Sequence, residues 1–400
     1  MRIVDVNEFY SPTGGGVRTY IDRKMGIMAD LGHELICIAC TRGPDRVEER
    51  PGGGRVIYVH SLALPFDPKN YGLFWRAEPI HRLLDDLRPD VVEASSPWRP
   101  AWIVGKWRGD AIKSFFMHND NVAAYPLRWF EGMASPERIE RAFAWYSRYM
   151  NDFLKHYDTV VTNGPALAKR LRVRGVRVDV AMPLGIERSH FSPTLRDEKL
   201  RAALLEQLGL PSSGHLLLGI GRHHGEKRWP MVIEAVERAG HSLPVGLMLL
   251  GTGMGSRQLA RQLGGSPHIR LFSPVYDRER FARIMASADA LVHGSEAEPF
   301  GLAASEAMAS GLPLISPDTG GCAEVADPLT SETYAARDAS SCAAAIQRLF
   351  AREPLILRKA AIVAAGRVRT DREHAVDLMA HYQALVDQRR DVTRRLFSAA

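Results

Sequence analysis

Short apolar runs recur along the whole chain, each ended by a glycine, a histidine or a polar turn and then followed by apolar residues spaced three and four apart. Bounded runs of the first kind read as strands, and spacing of the second kind is one face of a helix. In the first half the pattern predicts strands at 3–6, 34–39, 55–60, 90–93, 114–117, 159–162 and 178–181, with helices at 17–31, 74–87 and 139–154 among them. A second series opens with a strand at 215–221 and a helix at 229–238, where Val232, Ile233 and Val236 share a face. Strands at 245–250, 270–272, 290–292 and 314–315 follow, and helices at 340–350 and 372–388 close the chain. Repeated strand–helix units build parallel sheets covered on both faces, with ligands held at the C-terminal ends of the strands.

Between the two series, Met182-Pro183-Leu184-Gly185-Ile186-Glu187 and Phe191-Ser192-Pro193-Thr194 lead into the charged stretch 195–200. Breakers followed by charge predict a linker there. A chain of 400 residues is long enough for two domains of about 150–200 residues, each with its own core. The expected division is 1–190 and 191–374.

Composition changes little in this picture. With 46% apolar and 24% charged residues and a mean hydropathy of −0.17, the chain has ordinary globular usage. No apolar run approaches the ~20 residues of a membrane span, and Met1-Arg2-Ile3-Val4 enters a strand with no leader pattern, so a cytoplasmic location is expected. The four cysteines form no disulfide framework. Cys37-Ile38-Ala39-Cys40 continues an apolar strand instead of opening a helix, which favours a buried structural role over a redox pair. The net charge of +6 suits anionic partners: nucleotide diphosphates, phospholipid surfaces or nucleic acid. Nucleic acid is disfavoured, since no recognised binding motif accompanies the charge.

The richest stretch runs from Gly294 to Pro313. It reads as strand, loop, helix, strand, with Glu298 in the loop, Glu306 on the helix and seven residues between them. Were all of it helical, the two carboxylates would stand about 12 Å apart, the scale of a sugar and a ribose joined by a diphosphate. Phe300, Gly301 and Leu302 lie where a helix starts; its free N–H groups attract phosphate, and glycine lets the phosphate come close. Upstream, Arg222 and Lys227 flank another strand-to-helix turn after Gly221, a fork and a point charge suited to a diphosphate. Gly14-Gly15-Gly16 follows the first strand, and His118-Asn119-Asp120 ends another.

Together these motifs resemble the retaining glycosyltransferases of family 4. The resemblance rests on the Glu-x7-Glu segment, Gly221-Arg222 with Lys227, the glycine loop, His118 and the 182–187 segment, in that family's order along nearly the whole chain. It implies the α/β GT-B fold: two Rossmann-like domains facing across a cleft, with the last helix, near 375–400, crossing back to the N-terminal domain. It also implies residue roles. Gly15 and Gly16 would lie near the donor phosphates, and His118 would face the transferred sugar. Arg222, Lys227 and the N–H groups near Gly301 would stabilise the departing diphosphate, Glu298 would hold sugar hydroxyls, Glu306 the ribose, and the backbone of Ser273-Pro274-Val275 the base. This chain departs from the family pattern at three places: Asn119 separates His118 from Asp120, Leu184 stands where asparagine is usual, and Arg228 stands where glycine is usual.

The resemblance thus implies a retaining hexosyltransferase that moves sugar from a nucleotide-diphosphate donor to a glycan or lipid-linked acceptor. GDP-mannose is slightly favoured over a UDP-hexose. No Asp-x-Asp triplet occurs, so protein cations are expected to replace a metal, and no cofactor is expected. A nucleotide-sugar 2-epimerase or hydrolase on the same fold, and a non-catalytic nucleotide-sugar-binding protein, are the alternatives. Aromatic and basic residues interleave from Trp98 through Arg108 and from Tyr125 to Phe130. That mixture fits a glycan, a lipid phosphate or an anionic membrane, and equally a set of half-buried aromatics under arginine stems.

Overall fold

The computed structural model describes residues 1–10, 16–63, 71–264 and 266–398. The chain divides into two compact units: residues 1–122, 129–184 and 371 onward form the first, and residues 123–128 with 185–370 the second.

The first unit is built on β1 (Arg2–Asn7), β2 (Glu34–Thr41), β3 (Arg46–Glu49) and β4 (Arg55–His60). A separate small hairpin of β5 (Leu62–Ala63) and β6 (Gly72–Leu73) follows, then β7 (Val91–Ala94), β8 (Ile112–Met117), β9 (Thr159–Thr162) and β10 (Val180–Ala181). The main sheet runs β10-β9-β8-β7-β1-β2-β4-β3, parallel throughout except for β3, which pairs antiparallel with β4. Its strands are apolar runs and not alternating ones because helices cover both faces; β2 is buried from Leu35 to Cys40. Cys37 and Cys40 are therefore core residues, and burial pushes the Cys40 thiol up to about 12.

The last helix, Asp371–Ser398, packs within this same unit. Tyr382 is fully buried, and its hydroxyl donates to Glu93 Oε1 at 2.5 Å and Ser114 Oγ at 2.9 Å. From the helix Gly16–Asp30, Lys24 Nζ reaches both oxygens of Glu93 at 2.7 and 2.5 Å. Asp5 stands in register with Glu93 on the neighbouring strand. Burial and the Glu93 charge outweigh Lys24 and Asn7 and push its carboxyl up to about 7. The centre of the unit thus holds two carboxylates and one ammonium.

The second unit contains β11 (His215–Ile220), β12 (Val245–Leu250), β13 (Ile269–Phe272), β14 (Ala290–Val292), β15 (Leu314–Pro317) and β16 (Ser331–Tyr334), in the order β13-β12-β11-β14-β15-β16 and parallel throughout. After β11 the chain moves outward to β12 and β13, then returns to β14 on the other side. The point between β11 and β14 is where the order reverses, and in open parallel sheets the crevice there takes the ligand.

Three sequence expectations change. The stretch 195–200 is not a linker: Asp197 accepts N–H bonds from Lys199 and Leu200 at 2.9 and 3.1 Å and caps the helix Glu198–Gln207, which buries Leu204 and Leu205. The charge marks the solvent face of a helical turn. The helix expected at 74–87 starts only at Glu78, with proline in its first turn. The helix expected at 139–154 is two helices, Pro136–Ala142 and Ala144–Leu154, separated by Phe143 at φ −99° and ψ 12°.

Candidate active site

At the reversal point of the second unit, Gly221-Arg222 leaves β11 and His293-Gly294 leaves β14. The two loops touch through glycine: a Cβ on Gly294 would fall 2.4 Å from the Lys227 carbonyl oxygen, and one on Gly221 would meet the Lys227 side chain at 3.1 Å. Close approach of this kind is what glycine permits. It delivers Lys227 Nζ to Glu298 Oε2 at 2.6 Å, with side-chain exposures of 14% and 22%. Burial works against both charges. For Lys227 the carboxylate of Glu298 outweighs burial, and the ammonium titrates above its ordinary range. For Glu298, Lys227, His293 and the Gly301 N–H outweigh it, so the carboxyl is held below its range. Both groups are charged at neutral pH.

Gly301 sits at φ 84° immediately before the helix Leu302–Ala309. A Cβ there would come within 3.0 Å of the Cys322 sulfur, in a backbone conformation that L side chains rarely adopt. Phe300 is buried, and the backbone of Gly321 lies against it, a Cβ there falling 2.5 Å away. The helix start is therefore fixed from below by Cys322 and Gly321. Glu306 is half-buried on this helix, while Glu298 precedes it in the loop; the helix covers only part of the span between the two.

The structure thus brings together Gly221, Lys227, Glu298, Phe300, Gly301 and Leu302. Arg222 is placed differently: its side chain is 76% exposed and donates to Glu226 Oε1 at 3.0 Å. Val275 is half-buried in the turn after β13. In the first unit, Gly16 opens the helix Gly16–Asp30, while Gly15 lies outside the described residues. His118 follows β8, stacked on Phe116 with centroids 4.5 Å apart and edge-on to Tyr20 at 5.2 Å. Burial and Lys24 push its imidazole down to about 3. A neutral ring can hydrogen-bond a sugar hydroxyl but carries no charge. Asp120 is a buried salt-bridge partner, held by Arg174 Nη1 at 2.5 Å.

Sequence reasoning missed His293. It is 2% exposed, with Nε2 3.5 Å from Lys227 Nζ and 3.7 Å from Glu298 Oε2. Burial and Lys227, opposed by Glu298, lower it to about 4, so it is a neutral third member of the cluster. The signal was present: His293 ends the apolar run 290–292 as His118 ends the run 114–117.

Two family models match the chain in succession: Glycosyltransferase Family 4 over residues 14–186 and Glycosyl transferases group 1 over residues 214–352. The chain belongs to glycosyltransferase family 4. This family-4 transferase is 29% identical over 341 residues to a GDP-mannose-dependent alpha-(1-6)-phosphatidylinositol dimannoside mannosyltransferase of Mycobacterium tuberculosis, covering 81% of this chain and 84% of that one. It is 27% identical over 401 residues to a GDP-mannose-dependent alpha-mannosyltransferase of Mycolicibacterium smegmatis, covering 97% and 99%. Among solved structures, sucrose-phosphate synthase from Thermosynechococcus elongatus superposes with a TM-score of 0.70 at 20% identity over the full length of both chains. The catalytic domain of starch synthase IV from Arabidopsis thaliana gives a TM-score of 0.71 at 16% identity over 96% of this chain and 99% of that one. The fold of the transferase is GT-B. Among its described residues, no helix is long and apolar enough to cross a membrane.

Proposed function

We propose that this glycosyltransferase moves mannose from GDP-mannose, with retention at the anomeric carbon and without a metal ion, to a lipid-linked glycan acceptor. The observation that carries the reading is the Lys227–Glu298 pair, 2.6 Å apart at the reversal point of a parallel sheet and beside the helix start at Gly301. An arriving diphosphate meets an ammonium already pre-oriented beside a helix N-terminus, so little reorganisation accompanies charge development on the leaving group. Arg222 swings from Glu226 onto the diphosphate. Glu298, freed from part of its ion pair, takes the donor hydroxyls; Glu306 takes the ribose, and the backbone at Val275 the base. Attack comes on the face the phosphate leaves. The relatives named as GDP-mannose-dependent support the choice of donor.

Thermal shift against GDP, UDP, ADP and GDP-mannose tests the donor. At 100 times its dissociation constant a ligand adds about 2.7 kcal/mol. GDP and GDP-mannose should raise the melting point of the wild type and lose that effect in Lys227→Ala and Glu306→Ala. Stabilisation by UDP or ADP alone would overturn the donor assignment.

The acceptor reading draws on the first unit. Trp75, Trp129, Met133 and Trp145 are 63%, 66%, 77% and 54% exposed. Aromatics standing among arginines suit the interface of an anionic bilayer, and we place the enzyme at the cytoplasmic face. The protein should sediment with vesicles containing phosphatidylserine at low salt and be released at high salt. Failure to bind at low salt removes the membrane reading and leaves a free glycan acceptor.

A further inference from the structure

Three non-glycine residues among those described have positive φ: Arg88, Arg228 and Arg337. For an L residue that conformation is strained. Two of the three, Arg228 at φ 47° and Arg337 at φ 71°, hold the same carboxylate. Arg228 forks onto Glu296, Nε to Oε2 at 2.7 Å and Nη2 to Oε1 at 2.6 Å, and Arg337 Nε adds a bond to Oε1 at 2.8 Å. Arg228 and Glu296 are only 15% and 14% exposed. Burial alone would raise the Glu296 carboxyl; the Arg228 fork and the Arg337 charge hold it below its usual range.

The placement of this triad matters more than its strength. Arg228 immediately follows Lys227, and Glu296 stands two residues before Glu298. The fork therefore ties together the same two loops whose ends carry the Lys227–Glu298 pair. Arg228 also occupies the position before the helix Trp229–Gly240, where the left-handed turn must be made. The turn explains why glycine is usual there. An arginine at 228 can be kept left-handed because its guanidinium is held across the gap in a two-point grip.

We propose that Glu296 is a positioning residue of the donor site: by fixing the left-handed arginine at 228 it sets the place of Lys227 against Glu298. The proposal rests on the donor-site reading given above. A displacement of about 1 Å at such a site costs on the order of 100-fold. Glu296→Gln keeps the shape but removes the charge and one of the two acceptor oxygens, so it breaks the fork onto Arg228 without opening a cavity.

The test is the dissociation constant for GDP-mannose by calorimetry, corrected for the folded fraction, in wild type, Glu296→Gln, Arg228→Gly, the double variant and Lys227→Ala. Glu296→Gln should weaken GDP-mannose by about 10-fold to 100-fold. Arg228→Gly should restore most of that loss in the Glu296→Gln background, because glycine makes the turn unaided. A role confined to stability would lower the melting point and leave the corrected constant unchanged, which overturns the proposal. Loss in Glu296→Gln without recovery in the double variant overturns it as well. If Lys227→Ala binds GDP-mannose as the wild type does, the donor-site reading falls and this proposal with it. If Lys227→Ala is weak and Glu296→Gln is not, only the positioning role falls. Should Glu296→Gln not fold, Arg228→Lys carries the same comparison, since it keeps the charge and loses the fork.

Discussion

Lys24→Met should remove about 3–5 kcal/mol of folding stability, and should remove more at about pH 8 than at about pH 5.5. Lys24 and Glu93 are each 3% exposed, and the ammonium touches both carboxylate oxygens. Methionine fills the space but leaves Glu93 and Asp5 buried together without a cation. Tyr382 and Asn7 still donate to them, which cannot offset a whole charge. The pH dependence follows from Asp5, whose carboxyl already titrates at about 7 against an ordinary 3.8 because of burial and Glu93. A carboxyl raised in the folded state binds its proton more tightly folded than unfolded. Its stabilising effect is complete below the unfolded value and is lost as pH rises through the folded one. Without Lys24 that folded value climbs further, so the deficit of the variant widens across neutral pH. Urea unfolding followed by tryptophan fluorescence at the two pH values reads this directly. Equal losses at both would show that Asp5 is not coupled to the lysine.

Lys227→Ala should lower donor turnover, read as nucleotide release from GDP-mannose, by about 100-fold to 1,000-fold. The ammonium lies 2.6 Å from Glu298, which also accepts from the Gly301 N–H, so on the proposed donor-site reading its loss removes both diphosphate stabilisation and the partner that orients Glu298. A second effect separates this from simple misfolding. In the wild type His293 is held at about 4 by burial and by Lys227, with Glu298 pulling the other way. In the variant the opposing cation is gone while Glu298 remains, so His293 should rise toward its ordinary range and protonate beside the carboxylate. The residual activity should therefore acquire a new inflection on the acid side that the wild type lacks. Turnover within about twofold of wild type would remove Lys227 from the chemistry.

What could be read from the sequence here is what is local. The strands at 55–60, 159–162 and 245–250 are found where the apolar runs place them, because a run bounded by breakers contains all the information a buried strand needs. Gly301 announces itself in the same way, as a glycine between a loop and a helix. What sequence reading lost are contacts between distant positions. Lys24 looks like any solvated lysine on an amphipathic helix, since its partner lies 69 residues away. Arg228 is visible as an odd residue in a glycine position, but nothing local names Glu296, 68 residues on, as the group that holds it there. The stretch 195–200 reads as a linker because charge at a helix start and charge in a linker look alike; the buried leucines at 204, 205 and 208 decide for the helix. His293 could have been found by the rule applied to His118.

The helix Asp371–Ser398 belongs to the first unit although the whole of the second unit is encoded before it. On the ribosome, the Glu93 carboxylate therefore waits for Tyr382, 289 residues later in synthesis, to supply its buried hydroxyl. The second unit, contiguous but for residues 123–128, can complete its sheet while the first is still unfinished. The first unit to begin is thus the last that can be completed, and a ribosome that stops short of residue 382 releases a chain whose earlier half lacks its final clasp.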